Sequence, residues 1–492
     1  MSSAPTAQGP LVVGVDSSTQ STKVLVVDAS SGRVVARGQA RHRVSTGEHR
    51  ESDPQEWWDA LCTALEQCGQ AAREAAAVSI GGQQHGLVTL GKDGSPVRPA
   101  LLWNDVRSAP QARGLVERLG GPAVWADRVG SVPGPSFTVT KWAWLTEHEP
   151  ASARATAAVR LPHDYLTERL TGLGTTDRGD VSGTGWWASG TEQYDEGILD
   201  MVGLDPVLLP RVARPGEIVG TVRDGGELPF SKGTLVGPGT GDNAAAALGL
   251  GLRPGTPVLS LGTSGTVYAV AERRPADPTG TVAGFADACG AWLPLACTLN
   301  CTQAVDRVAD LLHLEREAVE PGGSATLLPY LDGERTPNLP RSSGVLHGLR
   351  HDTTPGQLLQ AAYDGAVHAL LGALDLVLDA NADADADADA DRSSPLLLIG
   401  GGARGKAWQH TVRRLSGRPV QVPEAQELVA LGAAAQAAGL LTEEDPRAVA
   451  RRWETARGPV LDPVERDEAA LSRISGVLSD AAPLLDRAPP GE

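Results

Sequence analysis

One device occurs twice in this chain. Leu11-Val-Val-Gly-Val-Asp16 is an apolar run ending on an aspartate, followed by the turn Ser17-Ser-Thr-Gln-Ser-Thr22 and a returning run, Val24-Leu-Val-Val-Asp28. Half a chain length later, Pro257-Val-Leu-Ser-Leu-Gly262 runs into Thr263-Ser-Gly-Thr266 and returns as Val267-Tyr-Ala-Val270. Each reads as strand, polar turn, strand. Either turn alone is an ordinary hairpin. The pair, in this register, points to a duplicated fold with one hairpin per half.

The rest of the pattern is α/β. Arg33-Val-Val-Ala36 extends the first hairpin into a β-meander whose tight turn is 17–22. Helical periodicity covers about 54–74, 106–119, 356–379 and 463–487, with strand-like pieces near 77–80, 86–90 and 99–103. Gly/Pro clusters at 233–241 and 253–257 set the expected boundary between an N-terminal lobe, 1–252, and a C-terminal lobe, 253–492. The alternating Ala/Asp tract at 380–391 buries almost nothing and repels itself, so a disordered loop is expected over 380–393. It lacks the sharp-turn glycine and the bidentate terminal carboxylate of a calcium loop. The first ten residues, small and polar, are expected to fray.

Composition narrows the functional classes. Of 492 residues, 41% are hydrophobic and 21% charged, enough for a sizeable core, and no apolar run reaches the roughly 18 residues of a membrane span. A net charge of −17 without basic clusters argues against nucleic-acid or anionic-membrane partners. Five cysteines, an odd number without C-x-x-C pairs or a signal peptide, read as reduced thiols of a cytoplasmic protein. Lysine stands only at positions 23, 92, 141, 232 and 406, so phosphate charge has to be met by backbone N–H groups and Mg²⁺.

Four stretches carry candidate chemistry. In Gly239-Thr-Gly-Asp242-Asn243 followed by four alanines, Asp242 opens a helix whose positive end is expected to keep it ionised, able to accept a proton from a hydroxyl attacking phosphorus. Taken alone, Asp242 and Asn243 read equally as a helix cap. The two turns offer hydroxyls and N–H groups suited to phosphate, and Asp16 at the end of the first strand is placed to hold Mg²⁺ through water. Leu398-Ile-Gly-Gly-Gly-Ala-Arg404 is a strand, three glycines and a helix, whose bare backbone suits a planar ring or ribose. The small-residue helix after Glu427 either closes the same pocket or simply packs. Gly82-Gln-Gln-His-Gly86 and Leu102-Trp-Asn-Asp105 end strands in groups suited to a polyol: Gln84, His85, Trp103 and Asn104. The P-loop motif G-x-x-x-x-G-K-[ST] and the protein-kinase motifs H-R-D and D-F-G are absent from the sequence.

In this order, those segments, with Leu161-Pro-His-Asp-Tyr-Leu166 and Leu328-Pro-Tyr-Leu-Asp-Gly-Glu-Arg-Thr-Pro337, resemble the FGGY carbohydrate kinases from Val12 to about Ala438. The resemblance implies a two-lobed, duplicated actin-like (ribonuclease-H-like) fold and a cytoplasmic homodimer acting on ATP and a small sugar. Among those kinases the motifs look most like the members that phosphorylate D-xylulose to D-xylulose 5-phosphate. That likeness makes Asp242 the general base, Asn243 a sugar ligand, and Gln84 and His85 the pair that contacts the ketose. It assigns Asp16 to Mg²⁺-ATP, Thr19, Gly262, Thr263 and Ser264 to the phosphates, and Gly401 and Gly402 to the adenosine. The chain departs from the usual pattern at the first turn, Asp-Ser-Ser-Thr in place of Asp-x-Gly-Thr, and at Gln84, where methionine is frequent. It lacks the Arg-Glu pair of glycerol kinases, which disfavours glycerol. Other ketopentoses or polyols (D-ribulose, L-xylulose, D-arabinitol) stay open, as does a non-transferring actin-like ATPase or sugar sensor. A regulator of that kind would carry a DNA-binding helix-turn-helix, for which the N-terminus leaves no room.

Overall fold

The computed structural model describes residues 9–44, 49–223, 228–380 and 394–485. Apart from Gly9, Pro10 and Ala380, the expected frayed start and Ala/Asp loop lie outside the described residues. The elements that frame the site are, in chain order, β1 (Leu11–Ser17), β2 (Ser21–Asp28), β3 (Val34–Arg41), α1 (Pro54–Cys68), β4 (Ala75–Gly82), α2 (Pro162–Thr171), α3 (Arg178–Val181), β5 (Thr240–Gly241), α4 (Asp242–Gly249), β6 (Pro257–Leu261), β7 (Gly265–Ala269), β8 (Trp292–Thr298), α5 (Thr302–Leu312), α6 (Pro355–Asp379), β9 (Leu396–Ile399), α7 (Lys406–Ser416) and α8 (Leu428–Thr442). They fall into two compact units.

The first unit comprises Met1–Leu252, Glu272–Leu293 and Ala425–Ala456. In its sheet β3, β2 and β1 form an antiparallel meander, and β4 lies parallel to β1. Strand β5 adds two residues alongside β4. Both faces of the sheet are covered, which is why β1 and β2 read as almost continuous apolar runs. On one face Val13, Val15, Val24 and Val26 pack with Trp57, Trp58 and Leu61 of α1. On the other, Val12, Leu25 and Val27 pack with Ala430, Ala434 and Ala437 of α8. Each such buried valine or leucine contributes about 1.5–3 kcal/mol. Asp53 caps α1 by accepting the Gln55 N–H, and Gly69 interrupts the expected 54–74 stretch, which a second short helix, Gln70–Arg73, completes.

Small residues let α8 approach closely. A Cβ on Gly14 would lie 1.9 Å from the Ala430 carbonyl oxygen, and one on Gly432 1.9 Å from that of Ala245. The alanines that follow Asp242 therefore admit another helix, and the run after Glu427 packs on the first unit's sheet and α4.

The second unit comprises Arg253–Ala271, Pro294–Glu424 and Arg457–Glu492. Strands β6 and β7 form an antiparallel hairpin, Leu261 opposite Gly265, and β7 pairs antiparallel with β8. Strand β9 lies parallel to β6, Leu259 opposite Leu398. The order β8-β7-β6-β9 thus repeats β3-β2-β1-β4, which establishes the duplication. Helix α6 is, by length and hydropathy, apolar enough to cross a membrane, although polar residues interrupt it. Two thirds of its most apolar stretch is buried, with Leu359, Tyr363, Val367, Leu370 and Val377 inside, as befits a core helix. The C-terminal helix spans Glu468–Leu485, starting later than the expected 463. None of the five cysteines forms a disulfide among the described residues.

Candidate active site

Three strands of the first unit end side by side: β1 at Asp16–Ser17, β4 at Gly81–Gly82 and β5 at Thr240–Gly241. The carboxyl ends of parallel strands are where open α/β sheets bind ligands. Asp16 lies opposite Gly81 on one side and Lys23 on the other. It is 4% exposed and accepts the Ser18 hydroxyl, with the Lys23 ammonium 3.9 Å away and itself paired to Glu427 at 2.6 Å. Burial raises the Asp16 carboxyl to about 6, against the pull of Ser18 and Lys23.

Asp242 follows β5 directly and opens α4. Its Oδ1 accepts from the Asn243 backbone N–H at 2.8 Å and from Asn243 Nδ2 at 3.0 Å. The same Nδ2 donates to Gln84 Oε1 at 2.8 Å, so the residues after β4 and after β5 meet through one amide. The helix end does not win here as the sequence suggested. Burial, then the negative charges of Asp16 and Asp180, outweigh the local N–H groups and push Asp242 to about 7.

His85, at φ +65°, directs Nδ1 to the Gly183 carbonyl at 2.8 Å, so that nitrogen carries the proton. Its ring stacks on Phe137, centroids 5.2 Å apart, with Phe285 at 5.4 Å. Trp103, 39% exposed, donates its indole N–H to the Thr19 hydroxyl at 3.1 Å, which joins an expected sugar residue to an expected phosphate residue. Asn104 Oδ1 is buried without a hydrogen-bond partner, an acceptor that a bound hydroxyl would satisfy.

Beneath these residues lies a buried ionic cluster. His163 Nδ1 is 2.8 Å from Asp180, and Nε2 is 3.2 Å from Asp164 and 3.7 Å from Asp177. Burial opposes a charge on His163, but the carboxylates outweigh it and raise the imidazole to about 9. Asp177 accepts the backbone N–H groups of Gly179 and Asp180 and the Thr240 hydroxyl at 2.7 Å.

The second unit carries the other expected residues. Gly262, Thr263 and Ser264 form the turn between β6 and β7, with Thr263 exposed and the other two half-buried. The Gly262 carbonyl accepts both the backbone N–H and the hydroxyl of Thr302 at the start of α5, at 3.1 and 2.7 Å. Gly400 sits at φ +86° after β9, and the Gly402 N–H donates to the Leu261 carbonyl at 2.9 Å. Gly401 and Gly402 part company here. A Cβ on Gly401 would meet nothing within 4 Å, whereas one on Gly402 would lie 2.8 Å from Thr302 Cγ2. Gly401 is free to face a ligand, and Gly402 is needed for packing against the turn.

The structure therefore groups Asp16, Thr19, Gln84, His85, Trp103, Asn104, Asp242 and Asn243 in the first unit, and Gly262, Thr263, Ser264, Gly401 and Gly402 in the second. Sequence reasoning gave no role to Lys23, Glu427, Asp177, Asp180 or His163. His163 lies inside a quoted motif, but its three carboxylate neighbours come from scattered positions. Among the described residues, no group of three or more His, Cys, Asp or Glu side chains could hold a metal ion by itself.

Comparison with known proteins gives the family. The model of the FGGY family of carbohydrate kinases, N-terminal domain, matches residues 11–249, and that of the C-terminal domain matches 258–440. A protein named xylulose kinase from Streptomyces coelicolor is 80% identical, with 98% of each chain covered. Another from Streptomyces rubiginosus is 79% identical over the same share. The crystal structure of xylulose kinase from Bifidobacterium adolescentis superposes with a TM-score of 0.82 at 35% identity, covering 95% of this chain and 99% of that one. With both halves of the chain matched by the family and the repeated sheet in place, this protein belongs to the FGGY carbohydrate kinases.

Proposed function

We propose that this chain transfers the γ-phosphoryl group of ATP to the terminal hydroxyl of D-xylulose, giving D-xylulose 5-phosphate and ADP, with Asp242 as general base. The observation that carries the base assignment is Asp242 itself, lifted to about 7 at the meeting point of three strand ends. A base is most useful when its proton affinity lies near the working pH. The substrate follows from the relatives at 79% and 80% identity, both named xylulose kinase.

The attacking hydroxyl gives its proton to Asp242 as its oxygen bonds to the γ-phosphorus, and the bond from that phosphorus to the bridging oxygen breaks, leaving ADP. Asn243 and Gln84, joined by one amide, orient the carboxylate and the sugar. His85, with Nδ1 protonated, offers Nε2 as an acceptor for a hydroxyl, and Trp103 and Asn104 complete the sugar's surroundings. The Thr19 turn and the Gly262–Ser264 turn serve the phosphates, and Gly401 the adenosine. Asp16 fits Mg²⁺, which takes one or two carboxylates and fills its other positions with water and phosphate oxygens. When bound, the ion neutralises charge on the transferring phosphates. We read the protein as a cytoplasmic homodimer, and its charge of −17 supports small-molecule rather than nucleic-acid or membrane partners.

The test is coupled ADP release at fixed Mg²⁺-ATP across D-xylulose, L-xylulose, D-ribulose, L-ribulose, D-arabinitol and glycerol. Preference for D-xylulose is expected. Preference for another polyol moves the error to the Gln84–His85 surroundings, and equal release with and without sugar leaves an ATPase.

A further inference from the structure

The base-bearing segment has weak attachments of its own. Gly237-Pro-Gly-Thr-Gly241 is rich in glycine, and among the described residues its backbone is tied to β4 by the Gly237 N–H bond to the Val78 carbonyl at 2.9 Å and by the two-residue pairing of β5. Glycines leave such a segment more backbone freedom to lose than any other residue would. Asp242, at its end, must nevertheless be held in a near-attack geometry.

Side chains supply the missing attachments, and they grip the segment from two sides. Gln436 of α8 accepts the Gly239 N–H at 3.0 Å and donates to the Gly239 carbonyl at 3.2 Å. From the other side, Asp177 accepts the Thr240 hydroxyl at 2.7 Å. Asp177 is itself fixed, since it caps α3 through the N–H groups of Gly179 and Asp180. His163 fills the space below: a Cβ on Gly82 would lie 2.8 Å from His163 Cβ, and one on Gly239 2.6 Å from its Cδ2. Thr240 is 1% exposed and Asp177 4%, so their bond is shielded from water.

We propose that Asp177, acting through the Thr240 hydroxyl, is a positioning residue for Asp242 in phosphoryl transfer. Neither side chain touches the reacting atoms. The hydroxyl fixes the backbone two residues before the base, and Asp177 ties that backbone to the start of α3, a single turn after which the chain supplies the Gly183 carbonyl that orients His85. One buried carboxylate thereby couples the base to the sugar-contacting histidine. This rests on Asp242 being the base of a sugar kinase.

The experiment compares Thr240→Val, which keeps the shape and removes the hydroxyl, with Thr240→Ser, which keeps the hydroxyl and removes the methyl. Sugar-dependent ADP release is measured with D-xylulose, and the number of sugar sites per chain by isothermal titration with the sugar alone. Thr240→Val is expected to lower kcat about ten- to hundredfold, as small misplacement of a reacting group does, with one sugar site per chain and the KM for ATP retained. Thr240→Ser is expected to stay within about threefold of the wild type, the hydroxyl being what matters. A loss of sugar sites that tracks the loss of kcat would make the role one of folding and overturn the proposal. Wild-type kcat in Thr240→Val, or equal losses in both variants, would also overturn it. Absence of sugar-dependent ADP release from the wild type would instead overturn the kinase reading on which it rests.

Discussion

As the proposed base, Asp242 faces two opposed requirements. It must be ionised to take a proton, yet an ordinary aspartate near pH 4 is too weak a base to help a hydroxyl attack phosphorus. Burial and the carboxylates of Asp16 and Asp180 resolve this by raising it to about 7. The sign follows directly. Below that pH the carboxyl is protonated and cannot accept, so kcat/KM is expected to fall about tenfold per unit as pH drops below 7, as a single essential ionisation requires. A profile flat from pH 8 down to 5.5 would remove Asp242 from this role. Asp242→Asn keeps the shape but not the basicity. It is expected to lower kcat on the order of 10²–10⁴-fold while ATP binding, followed by calorimetry, persists. Gln84 acts more mildly. Gln84→Leu takes from Asn243 one acceptor, a contribution of about 0.5–1.5 kcal/mol, so a roughly two- to tenfold rise in the KM for sugar is expected with kcat little changed.

At the scale of elements, α8 shows what the sequence conceals. Leu428-Val-Ala-Leu-Gly-Ala-Ala-Ala is apolar all round, so periodicity could not say which face it buries or against what. In the structure its glycine meets α4 and its alanines meet β1 and β2, elements about 180 and 400 residues earlier in the numbering. Gly432→Ala would set a methyl against the Ala245 carbonyl. A destabilisation of about 1–3 kcal/mol is expected, seen as a lower urea midpoint at unchanged slope. An unchanged midpoint would show that α8 can shift without cost. The hairpins, by contrast, were legible because their residues are consecutive. The places of Asp16 near a strand end and of Asp242 at a helix start were legible as well, since each lies in its own short motif. What escaped was whatever depends on distant chain meeting: Lys23 with Glu427, Thr240 with Asp177, Gly432 with Ala245. The ionisation of Asp242 escaped for the same reason. A helix end is visible in sequence, but two carboxylates from other segments are not.

Across the whole molecule, the proposed site residues are shared out over the two repeats. The β1–β2 hairpin and its parallel neighbour carry Asp16 and the residues that meet Asn243 and Asp242, and the matching β6–β7 hairpin carries Gly262, Thr263 and Ser264. Each turn is braced within its own unit, the second by Thr302 and the Gly402 N–H. Residues anchored separately should fail separately. The expected signature is that Thr263→Ala with Ser264→Ala raises the KM for ATP about tenfold, by removing two hydroxyl contacts of about 0.5–1.5 kcal/mol each. The affinity for D-xylulose measured without nucleotide should not change, because neither hydroxyl belongs to the unit that holds Gln84, His85 and Asn243. Asp242→Asn should give the converse, intact ATP binding with lost transfer. Calorimetric titration of sugar and of ATP into each variant decides the matter. If the double substitution weakens sugar binding as strongly as ATP binding, the two repeats do not act as separate binding elements, and the division of labour read from the repeated sheets is wrong.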